Sequence, residues 1–184
     1  MSEYTDLLAS KSGIRLDIAC GQNRQPGFVG LDIHAWPGVD IVHDVNVHPW
    51  PLPDECAIVA MCSHLVEHIP TVMLDGGKTR FPFIEFMDEV WRIMKIGGEF
   101  MIACPHGSSQ GFLQDPTHCH AMNETTWAYF DPAEQTAQGQ LYQFYRPQPW
   151  RLKYLSWSPA ANIEVILIKR AVGDLTPSKV NYAS

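Results

Sequence analysis

Residues 14–33 read IRLDIACGQNRQPGFVGLDI, and this stretch decides the fold. It holds two short apolar runs, Ile14–Cys20 and Phe28–Ile33. The first ends at Gly21, a residue without a side chain, which lets a ligand lie against the backbone. The second carries Asp32 at its tip, eleven residues after Gly21. A carboxylate there offers two acceptor oxygens, enough for a pair of hydroxyls. A turn or cap residue is the plainer role for the same aspartate. Only eight residues, Gly21–Phe28, join the two runs. A parallel crossover with its helix needs about a dozen or more. The first crossover helix is therefore expected to be missing or reduced to a turn. The next connection, His34–Gly38, is shorter still.

Outward from this stretch, strand-like runs alternate with helical patterns. Val39–Val45 ends among acids, and Cys56–Cys62 (CAIVAMC) is continuous and apolar, as a central parallel strand should be. Glu99–Cys104 follows the Gly97-Gly98 turn. Trp150–Trp157 and Asn162–Lys169, separated by SPAA, read as an antiparallel hairpin. Phe83, Phe86, Met87, Val90, Trp91 and Met94 recur at helical steps, with Asp88, Glu89, Arg92 and Lys95 between them and Gly97 past the end. A second helix opens at His64–Ile69 and must stop or bend at Pro70. A third spans Asn123–Phe130, with Asn123 or Thr125 as cap. The expected architecture is an α/β, Rossmann-like domain over 1–184, its core 13–170 and its terminal segments 1–12 and 171–184. Its sheet has seven strands, mostly parallel, and ends in the antiparallel hairpin.

Composition sets bounds on function. The chain has 184 residues, 46% hydrophobic and 11% aromatic, which argues against disorder. A net charge of −7 brings nothing to the electrostatic attraction that dominates nucleic-acid binding. The charge is uneven: 18 acids and 7 bases through Gly139 give −11, and 2 acids and 6 bases beyond it give +4. The tail reads as a solvated strand face or a local anion site. The five cysteines are odd in number, with no CxxC pair, which points to buried thiols in a reduced, cytoplasmic protein and to no structural metal. No apolar run reaches a membrane span. The start, MSEYTDLLASKSG, lacks the basic-then-apolar pattern of a signal peptide.

Five motifs in register resemble the class I S-adenosylmethionine-dependent methyltransferases. LDIACG resembles the family's glycine turn, with Ala19 and Asn23 standing where glycines usually do. GLDI resembles its second-strand acid, and HDVNVHPWPLPD its adenine-side segment. SHLVEHI is similar to the segment after strand four, and KIGGEF to the turn before strand five. The lost first helix matches a small, compact branch of the family. The resemblance implies S-adenosylmethionine as cofactor. The Ala19–Gly21 backbone would face its methionine moiety, with Asp17 supporting the turn. Asp32, with Ile33 beside it, would hold the ribose. Asp44 and Val45 would face the adenine, and Ser63 and His64 the sulfonium. The protein would then be an enzyme, a methyltransferase acting on a small molecule or sugar-like acceptor, with no nucleic-acid or membrane partner.

The reaction asks for alignment and exclusion of water, and for a base if the acceptor is a hydroxyl. The candidates are His118, His64 and Asp115. Gln114-Asp115-Pro116-Thr117-His118-Cys119-His120 follows strand five, behind the run Gly107–Gly111, which is expected to hinge as a lid. Asp115 could orient His118, and His120 could take its place. The same stretch could instead bind a metal or simply hold a loop. His64-Leu-Val-Glu67-His68 also matches the H-x-x-E-H pattern of a zinc-peptidase class, which requires both histidines on one helix face. A nicotinamide oxidoreductase needs three glycines and a long first helix that this spacing does not allow. A degenerate methyltransferase fold acting as a scaffold is the non-enzymatic alternative.

Overall fold

The computed structural model describes residues 13–134, 144 and 147–183. The expectations for residues 1–12, and for Arg146 in the basic tail, lie outside them. All seven expected strands form: β1 Ile14–Ile18, β2 Val29–Asp32, β3 Ile41–Val42, β4 Ala57–Ser63, β7 Met94–Pro105, β8 Trp150–Trp157 and β9 Asn162–Lys169. An eighth, β10 Asn181–Ala183, joins the edge of the same sheet. The sheet thus takes in residues beyond the expected core. The order is β10-β8-β9-β7-β4-β1-β2-β3. Pairs from β3 across to β7 are parallel, and β9 is antiparallel to both β7 and β8. The chain runs outward from β1 to β3, then returns through β4 to the other side of β1. That reversal puts a topological switch point, where open α/β sheets bind ligands, at the carboxyl ends of β1 and β4.

The register explains how the sheet is covered. Leu16 lies beside Val29 and Ala60, Ala60 beside Phe100, and Phe100 beside Leu167, so one face is apolar from β2 across to β9. All five are buried. The helix α1, Pro82–Ile93, packs there, with Phe86 5.8 Å from Trp50 and 6.3 Å from Phe100, ring to ring. Proline at its start is suited to a position whose N–H has no intrahelical partner. The helix ends at Ile93, short of the expected end just before Gly97. Met94 is already extended (φ −74°, ψ 144°) and pairs with Ala57 of β4. Trp91 leaves the buried stripe: its Nε1 donates to the Pro149 carbonyl, and its ring receives Lys169 Nζ at 3.9 Å. The opposite face is half-covered, with Met61, Met101, Tyr154 and Ile166 partly exposed.

The connections are as bare as the spacing required. No helix joins β1 to β2 or β2 to β3. The other two expected helices shrink to 3₁₀ turns, Val66–His68 and Trp127–Phe130. Neither Asn123 nor Thr125 caps the second: its N-cap is Thr126, without a side-chain cap, and Asn123 Oδ1 accepts from Thr125 N and Thr126 N in the turn before it. A two-strand ribbon, β5 Met73–Asp75 with β6 Lys78–Arg80, was not expected. Gly107–Gly111 is pinned rather than hinged. Gly107 N donates to Met122 O, Ser108 Oγ donates to Pro159 O, and Ser109 caps the one-turn helix Gln110–Leu113. The basic tail is also partly spent inside. Arg170 pairs with Asp131 at 3.0 Å and Lys169 with Glu55 at 3.2 Å, both bases almost fully buried.

Candidate functional site at the carboxyl ends of the strands

The turn after β1 is built by two carboxylates. Asp17, buried in the strand, accepts from Gln25 N at 2.8 Å and so anchors the far end of the loop. Burial raises its pKa above the ordinary aspartate value. Asp32 accepts from Gly21 N and from His34 N, both at 2.9 Å. It therefore clamps the turn to the end of β2, and each of its oxygens keeps a further lone pair. Between the two, Ala19 stands at φ 56° and Gly21 at φ 54°. Ala19 thus keeps the left-handed conformation that a glycine would supply, at a cost of about 1–2 kcal/mol. Nothing lies within 4 Å of where a Cβ on Gly21 would stand. A side chain there meets no part of the turn, so its steric effect falls on whatever occupies the open space. Cys20, by contrast, is inert: burial holds its thiol up to about 11.

The remaining expected residues follow the ends of β2, β3 and β4 at the same edge of the sheet. Ile33, next to Asp32, is exposed although apolar, leaving a flat hydrophobic surface past β2. Asp44 accepts from its own loop, from Asn46 N, while Val45 is buried beneath it and its carbonyl receives Trp50 Nε1. Ser63 is exposed at the end of β4, and His64 follows at φ 54°. Two non-glycine residues in left-handed conformation at the ends of adjacent strands are the kind of strain that collects at functional sites.

Behind His64 the structure gathers residues that lie far apart in sequence. Glu67 has a fully buried side chain, and its Oε1 is 3.2 Å from His64 Nδ1 and 4.0 Å from His118 Nε2. Neither of its oxygens has a hydrogen bond. His118 Nδ1 donates to the Phe112 carbonyl at 2.9 Å, and its Nε2 is 3.6 Å from Asp115 Oδ2, so the two expected partners do meet. The backbone carbonyl of Glu67 accepts from Cys119 N and His120 N, which ties this loop to the turn after β4. His64 and His68 do not share a helix face, because only Val66–His68 forms a turn. The zinc-peptidase arrangement is therefore not built. In the sequence Glu67 stands out only as the acid of the H-x-x-E-H pattern and not as a partner of His118; nothing local in the sequence signals that contact.

Beside this cluster is a cavity of about 290 Å³, walled by Phe81, Phe83, Tyr129 and Phe130. It lies at the start of α1, which runs back from the carboxyl edge of the sheet. His120 lines it, with a buried Nδ1 that has no partner. Burial lowers the pKa of His120, so its ring is neutral and that nitrogen can accept a hydrogen bond.

Comparison with solved structures matches the fold that carries these residues. A SAM-dependent methyltransferase from Archaeoglobus fulgidus superimposes with a TM-score of 0.55 at 18% identity, over 90% of both chains. A protein from Bacillus halodurans described as a putative methyltransferase gives 0.52 at 14% identity, over 93% of this chain and all of that one. The chain has the fold of the S-adenosylmethionine-dependent methyltransferases. A mutant 16S rRNA (adenine(1408)-N(1))-methyltransferase from Catenulisporales acidiphilia, solved with SAM, gives 0.56 at 13% identity over 92% and 90% of the two chains. No family profile and no curated protein sequence matches the chain. Within this methyltransferase fold, β1, β2 and β4 supply the turn, the acid and the strained His64. No helix among the described residues is long and apolar enough to cross a membrane.

Proposed function

We propose that this protein is an S-adenosylmethionine-dependent methyltransferase acting on a small molecule with an apolar body and one hydroxyl or amine. The observation that carries the proposal is the turn Ala19–Gly21. It keeps its left-handed backbone without the usual glycine, faces open space, and is clamped by the acid that a ribose requires. When bound, S-adenosylmethionine supplies a methyl group already activated on a sulfonium. The chain has to place the acceptor in line and keep water out.

The residues divide that task. Ala19 and Gly21 offer backbone to the methionine moiety, with Asp17 holding the loop closed. Asp32 offers its remaining lone pairs to the ribose hydroxyls. Ile33 gives the adenine an apolar surface, with Asp44 and Val45 beside it. On the acceptor side, Ser63 and His64 stand at the mouth. His64 is the general base of the proposal, because it stands exposed at the mouth of the site with the buried Glu67 carboxylate 3.2 Å from its Nδ1. Asp115 and His118 act behind Glu67 as positioning residues. The aromatic cavity takes the body of the acceptor, with His120 in its wall. The small size of that cavity and the net charge of −7 favour a small molecule over nucleic acid. Free thiols, four of the five buried, support a reducing, cytoplasmic setting.

A crystal structure with S-adenosylhomocysteine tests the proposal. The expected density crosses Gly21, with the ribose on Asp32 and the sulfur towards His64. A ligand bound elsewhere overturns it. Compounds can then be screened by release of the demethylated cofactor. With the acceptor in hand, His64→Ala should lower turnover about a hundredfold and leave cofactor affinity unchanged.

A further inference from the structure

We propose that Glu67, His68 and His118 form a binding site for one divalent transition-metal ion of the zinc type. One ligand atom from each lies within 4.8 Å of the other two. The strongest observation is Glu67 itself. Its side chain is wholly buried, and no donor reaches either oxygen in hydrogen-bond geometry. A buried carboxylate left that way is unstable unless a cation meets it.

The two histidines are prepared on the opposite side from the carboxylate. His118 Nδ1–H is spent on the Phe112 carbonyl, which leaves the lone pair on Nε2. For His68 the protons can be counted. Thr117 has one hydroxyl proton, and it goes to Asp115 Oδ1 at 2.6 Å. Thr117 Oγ1 can then only accept from His68 Nδ1, 3.0 Å away, so His68 also keeps its lone pair on Nε2. Outer bonds of this kind, to a carbonyl and to a hydroxyl backed by a carboxylate, fix the tautomer of metal-ligating histidines. Two neutral imidazoles and one carboxylate suit zinc-like ions, which leave a fourth position open when a site is catalytic. His64, half-exposed beside Glu67, stands at that opening.

The competing account is that a neighbouring histidine alone satisfies Glu67. His64 Nδ1 lies 3.2 Å away but outside hydrogen-bond geometry, and His118 Nε2 at 4.0 Å is too far for a hydrogen bond. The metal proposal rests on these side chains alone and not on the methyltransferase reading.

The test is calorimetric titration of the full chain, freed of metal by a chelator, with Zn²⁺, together with melting curves in its presence and absence. The expected result is one equivalent bound and a raised melting temperature. Glu67→Gln and His118→Ala should each weaken binding at least tenfold and abolish the thermal shift. If Glu67→Gln does not fold, His68→Ala reads the same interaction. The proposal is overturned if the folded wild-type chain binds no Zn²⁺, if it prefers Mg²⁺, or if the variants bind Zn²⁺ as tightly as the parent. Failure here with S-adenosylmethionine still bound would leave the proposed function standing.

Discussion

Asp32 already holds the backbone of Gly21 and His34, and in the proposed function its carboxylate takes the ribose as well. Asp32→Ala should therefore weaken S-adenosylmethionine binding by roughly 2–3 kcal/mol, since hydrogen bonds to a charged group are worth about 1.5–3 each. It should also lower stability by about 1–3 kcal/mol through the freed N–H groups. Calorimetry and urea melts separate the two losses, and unchanged affinity in a folded variant would remove Asp32 from the site. Gly21→Val should behave differently. A valine at φ 54° is strained and its side chain enters the open space, so binding should vanish while a cooperative melt remains. Ala19→Gly tests the strain on its own. Most substitutions at such positions destabilise, but here relief of the left-handed alanine should offset the entropy of glycine, leaving stability within about 1 kcal/mol of the parent or above it. A clear loss in urea melts would mean that the turn carries no strain.

At the scale of elements, what could be read depended on whether burial left a pattern in the sequence. The seven expected strands were legible because each is an apolar run or ends at a glycine or an acid. The missing crossover helices were legible by arithmetic: Gly21–Phe28 has no room for one. The β5–β6 ribbon was not, because Met73, Leu74 and Asp75 are all exposed and no face alternates. Helix α1 was legible along its stripe but not at its end, where pairing of Met94 with Ala57 draws the chain into β7 early. The stripe itself can be tested. Phe86 is buried between Trp50 and Phe100, so Phe86→Ala should cost about 3–5 kcal/mol in a denaturant melt, the usual toll of emptying an aromatic site. A loss under 1 kcal/mol would mean that α1 does not hold the sheet.

Across the whole molecule, the covered face of the sheet provides stability and the carboxyl edge provides chemistry. The residues proposed for the cofactor were visible in the sequence, because Asp17, Gly21 and Asp32 lie within one short stretch. Those proposed for the acceptor were hidden. Glu67 meets His118 across 51 residues, and no local pattern records that contact. His118 itself was legible only as a residue rich in chemistry, and the structure turns it towards Glu67. All of this rests on one claim, that the turn after β1 binds S-adenosylmethionine. Isothermal titration of the full chain with S-adenosylmethionine, with NAD as comparator, tests it most directly. The account predicts one cofactor bound per chain and no heat from NAD; a folded chain that does not bind S-adenosylmethionine, or that prefers NAD, would contradict it.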